Sequence, residues 1–90
     1  MIENSDPEFE ILNCLYFVEP FSRILEETGI DRNIAADVLK DLIARKLVSP
    51  MRFDDDAKEY VRSYIYDGDH MDDYHYLATK EGLLLHNGRA

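Results

Sequence analysis

Residues 21–48 read FSRILEETGIDRNIAADVLKDLIARKLV. Two amphipathic helical patterns fit this stretch, joined by Thr28, Gly29, Ile30 and Asp31. In the first, Phe21, Ile24 and Leu25 share one face. In the second, Ala35, Val38, Leu39 and Leu42 recur at i, i+3, i+4 and i+7, one side of a helix of 3.6-residue period. Gly29 stands where a helix ends in a left-handed residue, a conformation glycine adopts without steric cost. Asp31 or Asn33 then caps the following helix through a side-chain oxygen, and Ile30 plugs the angle between the two. With Ala35 at the centre of the buried face and a turn of about 100° per residue, Val38, Leu39, Leu42 and Lys46 point toward the core. Asn33, Ala36, Asp37, Lys40 and Ala44 fall on the opposite, outward face.

Upstream, the sequence predicts a helix over residues 7–18. Asp6 caps it, Pro7 fits its first turn, and Glu8 and Glu10 suit the positive end of its dipole. Pro20 stops it by disfavouring a helical residue before it, and itself opens the second helix. The first helix is apolar on two sides. Phe9, Leu12, Leu15 and Tyr16 form one stripe; Ile11, Cys14 and Val18 form the other. One of these sides needs a cover, either the last helix of the chain or a second copy.

Downstream, the third helix is expected over 32–46, a strand over 47–51, and its return strand over 74–78, where Tyr74, Tyr76 and Ala78 alternate with His75 and Leu77. About 22 residues lie between, too many for a simple hairpin loop. A helix is expected there over 54–65, because Ala57, Tyr60, Val61, Tyr64 and Ile65 keep helical spacing and Asp54, Asp55 and Asp56 precede them. A strand over 60–66, rich in β-formers, is the competing reading. Residues 67–75, DGDHMDDYH, gather carboxylates and imidazoles. They match neither the twelve-residue calcium loop nor the i, i+4 histidines of a zinc helix. No metal or cofactor is expected; the run reads as a solvated acidic tip that keeps a sheet edge from pairing. Thr79 caps a last helix over 80–86. Leu83, Leu84 and Leu85 cannot all face one core, and Asn87-Gly88 ends the helix before a frayed Arg89-Ala90.

The order of a short helix, the Gly29-Ile30 turn, a longer helix and Leu47-Val48 entering a strand resembles the winged helix-turn-helix of bacterial transcription regulators of the MarR and PadR kind. The run Tyr76-Leu77-Ala78-Thr79-Lys80-Glu81-Gly82 is similar to the Leu-Thr-x-x-Gly that leads from the wing of such proteins into their last helix. Lys46 departs from the pattern, standing where those proteins usually have glycine. The resemblance implies an α+β, mostly α, winged helix-turn-helix domain over residues 1–90: three N-terminal helices, a β-hairpin wing with a long insertion, and one C-terminal helix. It implies double-stranded DNA as partner, met by the helix at 32–46 through Arg23, Arg32, Asn33, Ala36, Asp37 and Lys40. Asn33 would read adenine, Ala36 a thymine methyl, and Lys40 phosphate or guanine; Asp37 fits only opposite a cytosine amino group. It also implies a homodimer through the N- and C-terminal helices.

Composition bounds these readings. Ninety residues suit one domain, and a hydrophobic share of 46% suits a small core rather than a disordered tail. Residues 1–10 carry no Lys or Arg, so no secretory leader is expected. No apolar run approaches the ~20 residues of a membrane span. The single cysteine, Cys14, allows no disulfide within the chain and reads as a small core residue; a reducing cytoplasm is the expected compartment.

The net charge of −9 opposes DNA binding, which favours a basic footprint. Residues 21–48 balance five bases against five acids, and the acidic excess lies on either side. A second function therefore stands beside the regulator: an acidic winged-helix interaction module, or adaptor, with a basic partner. Asp37 on the outward face and the tyrosines at 60, 64, 66, 74 and 76 support it, since tyrosine is enriched in interfaces. A continuous positive face across Arg23, Arg32, Lys40 and Arg45 would favour DNA; a break at Asp37 and Asp41 would favour the adaptor. No nucleophile–base pattern, phosphate loop or carboxylate pair suggests an enzyme.

Overall fold

The computed structural model describes residues 6–89; Ala90, named above for its fraying, lies outside them. The described residues form four α-helices and a four-stranded antiparallel sheet, an α+β architecture. In chain order these are α1 (Pro7–Cys14), β1 (Glu19–Pro20), α2 (Phe21–Thr28), α3 (Arg32–Ala44), β2 (Val48–Asp54), β3 (Glu59–Arg62), a 3-10 turn (Met71–Asp73), β4 (His75–Ala78) and α4 (Lys80–Arg89). The strand order across the sheet is β1-β4-β2-β3.

The helical pair α2–α3 follows the sequence reading. Gly29 is left-handed at φ 70°, and its N–H donates to the Leu25 carbonyl. Asp31, rather than Asn33, caps α3, accepting the Asn33 N–H at 3.0 Å. Ala35, Leu39 and Leu42 are fully buried, while Val38 is only half-buried. The expected helix over 32–46 stops at Ala44, because Lys46 turns left-handed at φ 64° and releases the chain into β2. Where the resembling proteins usually place glycine, this chain holds a lysine in a conformation that costs a non-glycine residue on the order of 1 kcal/mol.

The first helix ends at Cys14, four residues short of the expected 18. The Leu15 carbonyl accepts the Ala78 N–H of β4 at 3.0 Å. Glu19 and Pro20 then pair with Tyr76 and His75 as a short edge strand that the sequence reading missed. Both apolar sides of α1 are occupied within the chain. Toward α4, the Phe9 ring stacks on His86 with centroids 4.3 Å apart, and the Tyr16 hydroxyl meets His86 Nδ1 at 2.8 Å. On the other side lies Glu27 of α2. Burial, and then this carboxylate, push the Cys14 thiol above its ordinary pKa, so Cys14 is a protonated packing residue whose S–H donates to the Glu10 carbonyl. The two-sided apolar pattern thus packs on α4 at one side and on α2 at the other.

The largest correction concerns residues 54–65, where the expected helix is absent. Residues 59–62 form β3 and pair with β2, in the register Met51↔Arg62 to Asp54↔Glu59. The aspartates do bind backbone N–H groups, but in a turn. Asp54 Oδ1 accepts from Asp56 at 2.9 Å and from Ala57 at 3.3 Å, and Lys58 closes the turn at φ 58°. Phe53 and Tyr60 then meet edge to face across the hairpin, ring centroids 5.2 Å apart. The expected return strand at 74–78 exists as β4, but on the opposite side of β2, in the register Val48↔Ala78 to Met51↔His75. The expected antiparallel pairing of the strand at 47–51 with the return strand at 74–78 thus forms, and the long insertion between them holds β3 and the crossing of residues 63–74.

Thr79 caps α4 as expected, accepting the Gly82 N–H at 3.0 Å, but α4 runs through Asn87-Gly88 to Arg89. Gly82 sits directly against the chain at Leu47: a Cβ there would overlap the Leu47 carbonyl oxygen. Gly82→Ala is expected to cost at least about 1–3 kcal/mol, the scale of core overpacking. Gly88→Ala, whose Cβ meets nothing within 4 Å, is expected to be neutral or to stabilise by up to about 1 kcal/mol. Urea denaturation of the two variants checks this, and equal midpoints would remove Gly82's special role. On α3, Leu42→Ala is expected to cost about 2–5 kcal/mol and Asn33→Ala less than about 0.5 kcal/mol. Similar costs in the same denaturation experiment would mean that α3 is wrongly phased.

Candidate interaction surface on the third helix

The outward face of α3 is partly covered. Residues 67–73 cross its N-terminal half, and together they enclose a small cleft of about 230 Å³. Arg32, Asn33, Ala36 and Lys40 line it from the helix; Gly68, Asp69, Met71 and Asp72 line it from the loop. The structure thus brings four of the six sequence-predicted residues together. Asp37 is exposed on α3 outside this cleft, and Arg23 lies on α2.

What holds the loop is an apolar anchor. Met71 is 5% exposed and belongs to the core cluster. Burying such a side chain contributes roughly 1.5–3 kcal/mol, more than an exposed ion pair. The hydroxyl of buried Tyr76 donates to the Met71 carbonyl at 2.8 Å, and burial pushes its pKa well up, so it remains a donor. The Asp67 N–H donates to the Tyr74 hydroxyl at 2.8 Å. The sequence suggested that residues 67–75 form a solvated tip at a sheet edge. The overlooked signal is Met71, the one large apolar residue in that acidic run.

Charge follows geometry. Arg32 stacks its guanidinium 5.2 Å from the Phe21 ring centroid and pairs with Asp72 of the loop. Arg23 pairs with Glu26 at 3.4 Å and Glu27 at 3.2 Å. Arg45 pairs with Glu8 at 2.6 Å and Asp41 at 2.9 Å. Lys40 is half-buried, and its stem lies under Gly68, where an added Cβ would come within 3.2 Å of Lys40 Cε. The three arginines of the expected positive face thus each carry a carboxylate partner from the chain itself.

Within the loop, His70 Nδ1 meets Asp67 Oδ2 at 2.6 Å, and the Asp69 N–H donates to Asp67 Oδ1 at 2.9 Å. Hydrogen bonding from Asp69, then from His70, lowers the Asp67 pKa; hydrogen bonding to Asp67 raises that of His70. Among the described residues no group of three His, Cys, Asp or Glu side chains converges as metal ligands would. No helix among them is long and apolar enough to cross a membrane. Comparison with protein-family models, with curated proteins and with solved structures finds no match to this chain.

The His70–Asp67 clasp has a definite pH window. The contribution of His70, whose pKa is raised, is fully present below its ordinary value of 6.5 and is lost as pH rises through the raised value. The contribution of Asp67, whose pKa is lowered, is present above its ordinary 3.8 and is lost as pH falls through the lowered value. In an NMR titration the His70 ring is expected to have a midpoint above 6.5, and Asp67→Asn should bring it back toward that value. A midpoint indifferent to Asp67→Asn would show that the clasp does not form in solution.

Proposed function

We propose that this chain is an acidic winged-helix module that works as a protein-interaction adaptor, docking a basic partner on the surface made by α3 and residues 67–73. The element order supports the winged-helix arrangement: α2, the Gly29 turn and α3, then β2 and β4 as the wing with β3 in the insertion between them, then α4 after Thr79. The observation that carries the functional reading is the internal pairing of Arg23, Arg32 and Arg45 with Glu26 and Glu27, Asp72, and Glu8 and Asp41. A phosphate approaching α3 would have to displace these carboxylates and face Asp37 and Asp69 as well. Phosphate contacts supply most nonspecific DNA affinity, and this surface offers few. A partner rich in Lys or Arg meets the complementary sign, which favours fast and selective encounter.

A second reading, duplex DNA met by α3, keeps one observation in its favour. Asn33 and Asp37 are exposed on the outward face, with Ala36 and Lys40 beside them, as a base-reading helix needs. Fluorescence anisotropy with random-sequence duplex DNA, at low and moderate salt, separates the two. The adaptor reading expects no binding by the native chain or by Asp37→Asn, and binding of an arginine-rich peptide that weakens as salt rises. The DNA reading expects Asp37→Asn to raise nonspecific affinity. It expects Lys40→Ala to weaken binding across all sequences and to flatten the salt slope by about 0.9, the share of one phosphate. Duplex binding with that dependence on Lys40 would sink the adaptor.

A further inference from the structure

A second cleft, of about 680 Å³, lies where the C-terminal end of α3 meets the start of β2. Small-molecule sites usually measure about 300–1,000 Å³. The inner residues of the cleft are shut off from bulk water: Val48 is 2% exposed, Ser49 is 7% exposed, and Pro50 is buried. Four of its other lining residues, Lys46, Arg62, Tyr64 and Glu81, are exposed. This suits a compact ligand that passes the exposed side chains and rests on the apolar surface of Val48, Pro50 and half-buried Ile43.

Unused donors dominate its polar groups. The Ser49 hydroxyl has no hydrogen-bond partner among the described residues, although side chains so deeply buried normally have one. The Tyr66 hydroxyl, on a half-buried residue of the same cleft, is likewise unpartnered among them. Lys46 and Arg62 border the cleft against a single lining carboxylate, Glu81. Unlike the arginines around α3, neither makes an ion pair among the described residues; the Arg62 guanidinium instead lies 5.9 Å from the Tyr64 ring centroid. Ammonium and guanidinium groups only donate. The set calls for a ligand that is negatively charged and rich in acceptor oxygens.

We propose that this cleft binds a small phosphomonoester with an aromatic body, the chemistry of a mononucleotide. A phosphoryl group brings three acceptor oxygens and a charge of about −1.5 to −2 at pH 7. The hydroxyls of Ser49 and Tyr66 and the cations of Lys46 and Arg62 match it in number and sign. A carboxylate offers fewer oxygens and a single charge. Arginine pairs with phosphate through two parallel N–H bonds, and lysine acts on it as a point charge. The aromatic body follows from Tyr64 and Tyr66: Tyr64 is 87% exposed, and a planar ring gains by stacking on such a side chain. The cleft is separate from the surface of α3 and residues 67–73, so the two readings fail independently.

Isothermal titration calorimetry of the full chain with ribonucleoside monophosphates, their nucleosides, inorganic phosphate and benzoate tests the proposal. At least one monophosphate is expected to bind about tenfold or more tightly than its nucleoside, inorganic phosphate or benzoate. Its affinity should rise with pH as the phosphoryl group loses its second proton near about pH 6. Arg62→Glu and Lys46→Glu, both exposed positions, and Ser49→Ala should each weaken it by about tenfold or more, the scale of one hydrogen bond to a charged group, while Asp69→Asn leaves it unchanged. In a nitrogen-15 spectrum the Ser49 and Tyr66 amides should shift on binding. Absence of binding by every monophosphate at millimolar concentration, or equal binding of inorganic phosphate or benzoate, overturns the proposal. So does a bound monophosphate that ignores both charge reversals and Ser49→Ala.

Discussion

Polar contacts converge on Lys46 and Leu47, the two residues that lead out of α3. The Leu47 N–H donates back to the Leu42 carbonyl at 2.8 Å, the Leu47 carbonyl accepts the Thr79 N–H at 2.9 Å, and the Lys46 carbonyl accepts the Thr79 hydroxyl at 2.8 Å. The same hydroxyl caps α4. Gly82 brings that helix against the Leu47 carbonyl, with Leu12 of α1 close by. One junction thus joins the end of α3, the start of β2, the end of β4 and the first turn of α4. The angle of α3 to the sheet depends on it, and so does the entry of the chain into β2. The left-handed Lys46 is the local cost of making the turn so tight.

Charge is arranged around this frame in two ways. Around α3 the arginines are neutralised by the chain's own carboxylates, so the acidic excess determines what the surface attracts. At the far end of α3, Lys46 and Arg62 keep their charge toward the cleft. The net charge of −9 therefore describes neither surface well. A chain of one overall sign can carry faces of different local charge, because exposed charges are screened within about 8–10 Å at ordinary ionic strength.

The crossing from β3 to β4 shows how a polar segment becomes part of a structure. Its aspartates are exposed, and its internal hydrogen bonds are short-range. It holds its place on α3 because Met71 enters the core and Tyr76 fixes the Met71 carbonyl. Side-chain burial beats surface charge in locating it, and the charges then decide what the surface repels.

Local patterns in the sequence determined the α2–turn–α3 unit, the buried positions Ala35, Leu39 and Leu42, the Asp6 and Thr79 caps, and the left-handed Gly29. Each depends on residues within about one helical turn, where periodicity, capping and φ preference act directly. Only the tertiary structure decided the rest. Residues 59–62 became a strand because β2 offered an edge, and the spacing of Tyr60 and Val61 is compatible with either form. The first helix stopped at Cys14 because Ala78 of β4 took the Leu15 carbonyl. Of the candidate site, the outward residues of α3 were legible in the sequence. Their covering by residues 67–73, and the pairing of Arg32 with Asp72 and of Arg45 with Glu8, were not. Those contacts join residues 37 to 40 positions apart, and no local pattern encodes which distant carboxylate a folded chain will bring to a given arginine.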